Sequence, residues 1–234
     1  SGLTTVYMSD TIRGQLGLTF GSGQSFYGAT NVTLVDKSVT TLTDINGIEY
    51  TLTISGELSS NDIANAISKT DLQSAIIGAT VTSLGTDAFS GCPAMESVSI
   101  SPTVTYIGSS AFQSCTALQS VTIPNSVTSI GSSAFQSCSA LQSLTIGNGL
   151  TSIGYRVFYD CSALQSVTIP DSVTSIGNNA FQECSELKSV TIGNSVTRIG
   201  DSMFLYCRKL DSVIIGTSVT SIDRQAFGVC AILL

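Results

Sequence analysis

Histidine and tryptophan are absent from this 234-residue chain. Without an imidazole the Ser-His-Asp relay and its cysteine variants cannot be assembled. Zinc loses its usual nitrogen ligand as well, and no close C-x-x-C pair replaces it. The 16 carboxylates are scattered along the sequence rather than paired, which leaves a glycosidase-type acid pair without a footing. The chain is therefore expected to be non-enzymatic, with no cofactor and no bound metal. Cationic residues are as scarce: nine Lys and Arg, never clustered beyond Arg208-Lys209, offer no basic face to neutralise phosphates, which argues against a nucleic-acid partner. No apolar run approaches the ~18 to 20 residues that span a bilayer. The start SGLTTVYMSD lacks the basic n-region and apolar core of a secretory signal. Gly21-Ser22-Gly23 lacks the Lys and strand context of a phosphate loop and reads as a turn.

What is present is one regularity. Phe89, Phe112, Phe135, Phe158, Phe181, Phe204 and Phe227, and likewise Cys92, Cys115, Cys138, Cys161, Cys184, Cys207 and Cys230, follow one another at 23-residue intervals with no insertion. A period of this size marks a solenoid, in which each coil buries its apolar face only against its neighbours. With 42% hydrophobic and 11% charged residues and a net charge of −7, the chain has the composition to fold and is weakly acidic.

The cysteines all occupy one place in the coil, so they are expected to form a single internal column. Seven is odd, and identical inward rotamers on coils ~4.8 Å apart would not present sulfur to sulfur with the dihedral near 90° that a disulfide needs. Buried thiols packing as small hydrophobes fit better.

The stretch from Ser126 to Gly147 shows the unit, and Ser172 to Gly193 repeats it. Leu144 and Ile146 fall on one face of a short strand, so Ser143 and Thr145 face outward. Gly147, or Pro124 and Pro170 in the equivalent places, ends the strand and turns the chain. Val127 and Ile130 supply two more core contacts, and Gly131 permits a tight corner. After that corner Ala134, Phe135 and Cys138 are spaced to share the inner face of one or two helical turns, with Ser133 as an N-cap. Each coil thus reads as strand, turn, second extended segment, corner and short helix.

The unit L-x-x-V-x-I-P-x-x-V-x-x-I-G-x-x-A-F-x-x-C resembles the BspA-type, or Treponema pallidum-type, leucine-rich repeat. The resemblance covers roughly Leu72 to Leu233, with Met95 in a Leu place, Leu144 in a Val place and Asp223 in that of the corner Gly. It implies a leucine-rich repeat solenoid of 23-residue coils, a right-handed horseshoe or rod with a parallel β-sheet on one face and short helices or turns opposite. It also implies adhesion and protein recognition on bacterial and protist surfaces, with no enzymatic activity known for the repeats.

Three segments are expected: an N-terminal β-rich arm or small element over 1–46, a cap over 47–77, and about seven coils over 78–234. In the cap EYTLTISG alternates as a strand, and Ser60 or Asn61 can cap a helix carrying Ile63, Ala66 and Ile67 on one face. In the arm, NVTLV is strand-like. At the other end the chain stops at CAILL, with Leu233 at the first core position of a strand that does not follow, so further sequence or a partner chain is expected over that edge. The arm and the uncapped C-terminal coil are two routes to self-association.

The outward sheet face carries ranks of small hydroxyls: Ser97 and Ser99, Ser120 and Thr122, Ser143 and Thr145, Ser166 and Thr168, Ser189 and Thr191, then Ser212 and Ile214. Ser and Thr solvate a strand, and Thr favours one. The first ten are also the expected partner-binding residues, toward a protein or a glycan; a hydroxyl grid matching ordered water, as in ice-binding solenoids, would demand a flatter face. From Ser97 to Tyr155 no residue is charged, an unusually neutral stretch that suits an interface. The expected function is a surface or adhesion module, extracellular or on the cell surface. The alternative is a structural subunit on a filament or virion, docked by its N-terminal arm.

Overall fold

The computed structural model describes residues 39–231, together with the backbone of two earlier strands, β1 (Thr5–Met8) and β2 (Thr33–Asp36), which pair in parallel with Thr5 opposite Thr33. The turn expected at Gly21–Gly23 and the core position expected for Leu233 lie outside the described residues, as does most of the arm.

Ahead of the coils, β3 (Thr40–Asp44) and β4 (Glu49–Leu52) form an antiparallel hairpin. Its turn is held by Asp44, whose Oδ1 accepts from the amides of Asn46 at 2.9 Å and Ile48 at 2.8 Å. β5 (Gly56–Leu58) leads into α1 (Ser60–Ala66). The N-cap of α1 is Ser59, not Ser60 or Asn61. Asp62 stands three residues on, its carboxylate accepting from the Ser59 amide at 2.8 Å while Ser59 Oγ accepts from the Asp62 amide, a closed capping box. Ile63 and Ile67 are buried beneath it. β6 (Leu72–Ile76) pairs antiparallel with β3 and parallel with β8 (Ser97–Ser99), so the hairpin covers the first strand of the stack.

From there each coil gives one strand to each of two parallel ladders. The first continues from β8 through β10 (Ser120–Ile123) and β12 (Ser143–Ile146), and then as a separate block of β14 (Ser166–Ile169), β16 (Ser189–Ile192) and β18 (Ser212–Ile214). The second runs from β5 through β7 (Val81–Leu84) and β9 (Tyr106–Ile107) to two-residue strands such as β11 (Ser129–Ile130) and β13 (Ser152–Ile153). Equivalent residues pair directly, Ser120 with Ser143 and Ile130 with Ile153, as parallel stacking requires of coils of equal length. Gly131 packs flush on the coil before it: a Cβ there would lie 2.5 Å from the Ser109 amide nitrogen. Asp223, in the same place of the last coil, keeps the ladder, its amide donating to the Ile199 carbonyl at 2.9 Å and its carboxylate pairing with Arg198.

Between the ladders lies one core. The phenylalanine rings stack with centroids 5.0 to 5.6 Å apart and planes within 6 to 14° of parallel, and the six from Phe89 to Phe204 are fully buried. Ala134, Phe135 and Cys138 are buried as expected, but the helix expected to carry them is not formed. Two overlapping turns take its place, closed by Gln136 N to Ser133 O at 3.0 Å and Cys138 N to Phe135 O at 3.3 Å, with Ser133 and Ser137 left-handed at φ 57° and 58°. The reason is the stack. The amides of Ser133, Phe135 and Ser137 each donate, at 2.8 Å, to Tyr155, Val157 and Tyr159 in the next coil, whereas a helix would spend its amides inside its own segment. Ser133 is thus a left-handed turn residue and no N-cap.

Candidate functional site

Alternation along the first ladder puts the hydroxyl ranks outside. Ser97, Ser99, Ser120, Thr122, Ser143, Thr145, Ser166 and Thr168 are exposed, and Ser189 and Thr191 are half-buried. Between them Val121 is buried and Leu144 partly so. The face is not uniform. A groove of about 920 Å³ crosses four coils where the ladder changes from its first block to its second. Thr145, Ser166, Thr168 and Thr191 line it, with Ile214 continuing the row. Ser97, Ser99, Ser120, Thr122, Ser143 and Ser189 are not among its lining residues.

One rim is a ladder of turn residues. The Asn148 amide donates to Asn125 Oδ1 at 2.8 Å, the Asn194 amide to Asp171 Oδ1 at 2.6 Å and the Thr217 amide to Asn194 Oδ1 at 3.1 Å. Side chains that accept from the next coil hold these turns in line, so the rim is stiff. Asp171 is the one charged residue lining the groove, and at the far end Ile214 and Ile215 stand 62% and 41% exposed. A hydroxyl-lined trough with one carboxylate at its rim and an apolar end can hold polar groups and one hydrophobic anchor.

The cysteine column lies inside the coils, away from this face. All seven thiols are free and buried. Burial pushes Cys138 up to about 12 and Cys161 well above the ordinary thiol range, which keeps both protonated at neutral pH, whereas Cys92 at the head of the column is lowered by its interaction with the Cys115 thiol and by the Lys69 charge. Among the described residues no three Cys, Asp or Glu side chains converge as a metal site.

Carboxylates that are scattered in sequence are not all scattered in space. Asp160 and Glu183, one period apart, line a second cleft of about 510 Å³ beside the phenylalanine corner. The 23-residue spacing was the available signal, since stacking brings equal coil positions together.

The family model for the BspA type leucine rich repeat region matches residues 62–173 and 105–233, in six copies. A leucine-rich repeat protein of T. pallidum is 32% identical, over 64% of this chain and 72% of that one, with a TM-score of 0.61. A leucine-rich repeat protein from Eubacterium ventriosum shares the fold, with a TM-score of 0.62 and 21% identity over 97% of this chain and 59% of that one. The comparison with curated proteins gives no match.

Proposed function

Since the chain belongs to the BspA-type leucine-rich repeat family, we propose that it is a non-enzymatic recognition module, working outside the cell or on its surface, that holds a protein partner through the sheet-face groove. The groove itself carries this reading. At a strand spacing of ~4.8 Å, four coils give it a length of about 14 Å, enough for four or five residues of extended peptide. The row Thr145, Thr168, Thr191 presents hydroxyls that donate or accept, and Ile214 and Ile215 offer an apolar seat at one end. Family resemblance, not geometry, supports the extracellular setting.

Adhesion is the direct test. Beads coated with the chain should adhere to immobilised extracellular-matrix proteins or to cell monolayers, and Thr145→Lys with Thr168→Lys should abolish it. Adhesion that survives this double substitution would move the recognition surface elsewhere.

A further inference from the structure

Repeated coils provide an internal comparison. Around Phe112 and Phe135 the corner is neutral and nearly identical, Ser109-Ser110 with Gln113-Ser114 and then Ser132-Ser133 with Gln136-Ser137. From Tyr155 the same places change character: Tyr155-Arg156, Tyr159-Asp160, Glu183, Tyr206, and Arg208 where Ser162 and Ser185 stand in the two preceding coils. Stacking gathers these departures on one side of the rod. Asp160, Ser162, Glu183, Ser185, Tyr206 and Arg208 line the cleft of about 510 Å³, which shares no lining residue with the sheet-face groove.

The groups in it are built rather than loose. Tyr159 Oη donates to Glu183 Oε1 at 2.6 Å, and Gln182 Nε2 donates to the same oxygen at 3.3 Å. Arg156 lies over the rings of both Tyr155 and Tyr159, at 5.0 and 5.1 Å, which fixes the tyrosine that orients Glu183. Asp160 accepts from Ser137 Oγ at 3.4 Å. Its burial, and then the Glu183 charge, raise its pKa against the opposing effect of the Ser137 bond. Arg208 sits over the Tyr206 ring at 5.9 Å and brings guanidinium donors to the same cleft.

We infer that this cleft is a saccharide subsite for one or two pyranose rings of a neutral glycan. Asp160 and Glu183 accept from adjacent ring hydroxyls, Arg208 donates to a ring or acetamido oxygen, and Tyr206 offers its ring face to the sugar's C–H face. The volume falls within the range of small-ligand pockets. Two carboxylates beside Arg208 and Arg156 leave little net charge, which suits a neutral ligand. An ammonium group would have to approach Arg208.

The test uses the full chain, with methyl β-galactoside, methyl α-mannoside and methyl β-N-acetylglucosaminide followed by NMR, and methylammonium as the cationic control. At least one pyranoside should shift resonances of the cleft with a dissociation constant of about 10 mM or tighter. Asp160→Asn and Tyr206→Asn should each weaken it at least ~tenfold. Asparagine suits the left-handed backbone at both positions, φ 56° and 65°, so neither variant should unfold the coil. Thr145→Lys with Thr168→Lys should leave sugar binding unchanged, which separates this subsite from the groove. If no pyranoside binds at about 50 mM, or if binding ignores both asparagine variants, the subsite does not exist. If methylammonium alone binds, the cleft belongs to cationic groups and the inference is wrong.

Discussion

The thiol of Cys138 donates to the carbonyl oxygen of Phe112, one coil earlier, at 3.2 Å. The bond recurs from Cys115 to Phe89 through Cys230 to Phe204, and it ties the two columns of the repeat to each other. Cysteine suits the place because it is small, apolar enough to bury and still a weak donor for a carbonyl that would otherwise have one lone pair idle. With the six sulfurs from Cys115 to Cys230 engaged in this way and Cys92 buried at the head of the column, mass spectrometry under non-reducing, denaturing conditions should count seven free thiols. One intrachain bridge would refute the column.

The same burial predicts how stability depends on alkali. Cys138 is pushed up to about 12, so the folded state keeps a proton that the unfolded chain releases above about pH 8.5. The stabilisation is complete below that pH and is lost as pH rises toward the folded value, by about 1.4 kcal/mol per pH unit for each such thiol. Urea midpoints should therefore hold steady from about pH 7 to 8.5 and fall beyond, with a shallower fall in Cys138→Ala. A midpoint unchanged at about pH 10.5 would contradict buried, protonated thiols.

Phe135 is fully enclosed and stacks on Phe112 at 5.0 Å and Phe158 at 5.4 Å. Phe135→Ala should destabilise the chain by ~3 to 5 kcal/mol, because rigid neighbours on both sides cannot close the cavity. Equilibrium denaturation measures this directly, and a loss under ~1 kcal/mol would place the ring outside the core.

Much of this fold is legible in the sequence. Parallel coils pair equal positions, so an unbroken 23-residue period fixed the register of Ser120 with Ser143, and alternation fixed which of Val121 and Thr122 faces the core. The corner was not legible. Ala134, Phe135 and Cys138 satisfy a helix and a pair of turns equally well, and the deciding factor is the amide ladder to Tyr155, Val157 and Tyr159 in the next coil, which no local spacing reports. Nor do the left-handed residues advertise themselves, since Ser133, Arg156, Asp160 and Val229 occupy places where glycine is the usual signal. The hydroxyl rows were readable as outward. Their division into a groove that includes Thr168 and a surface around Ser97 that lies outside it is not carried by alternation, which treats every coil alike.

Val229 makes that hidden strain measurable. It is a β-branched residue at φ 57°, and its side chain is 58% exposed, so it forfeits little packing if replaced. Val229→Asn should stabilise by about 1 kcal/mol, which for a chain of this size raises the thermal midpoint by about 2 to 4 °C. A lower midpoint would mean that this turn is not left-handed in solution.

The sheet face can be divided by substitution. Thr145 and Thr168 line the groove, whereas Ser97 and Ser120 belong to the same hydroxyl rows but lie outside it. All four are exposed strand residues, so lysine at any of them should change stability by no more than ~0.5 kcal/mol. Binding should separate the pairs. Thr145→Lys with Thr168→Lys sets two charges in a trough whose one charged lining residue is Asp171 at the rim, and adhesion of chain-coated beads should be abolished. Ser97→Lys with Ser120→Lys should leave adhesion within about twofold, because charge on an open surface is solvated and screened. If the second pair abolishes adhesion and the first does not, the partner reads the neutral half of the rod, and the groove is a consequence of coil geometry with no role in recognition.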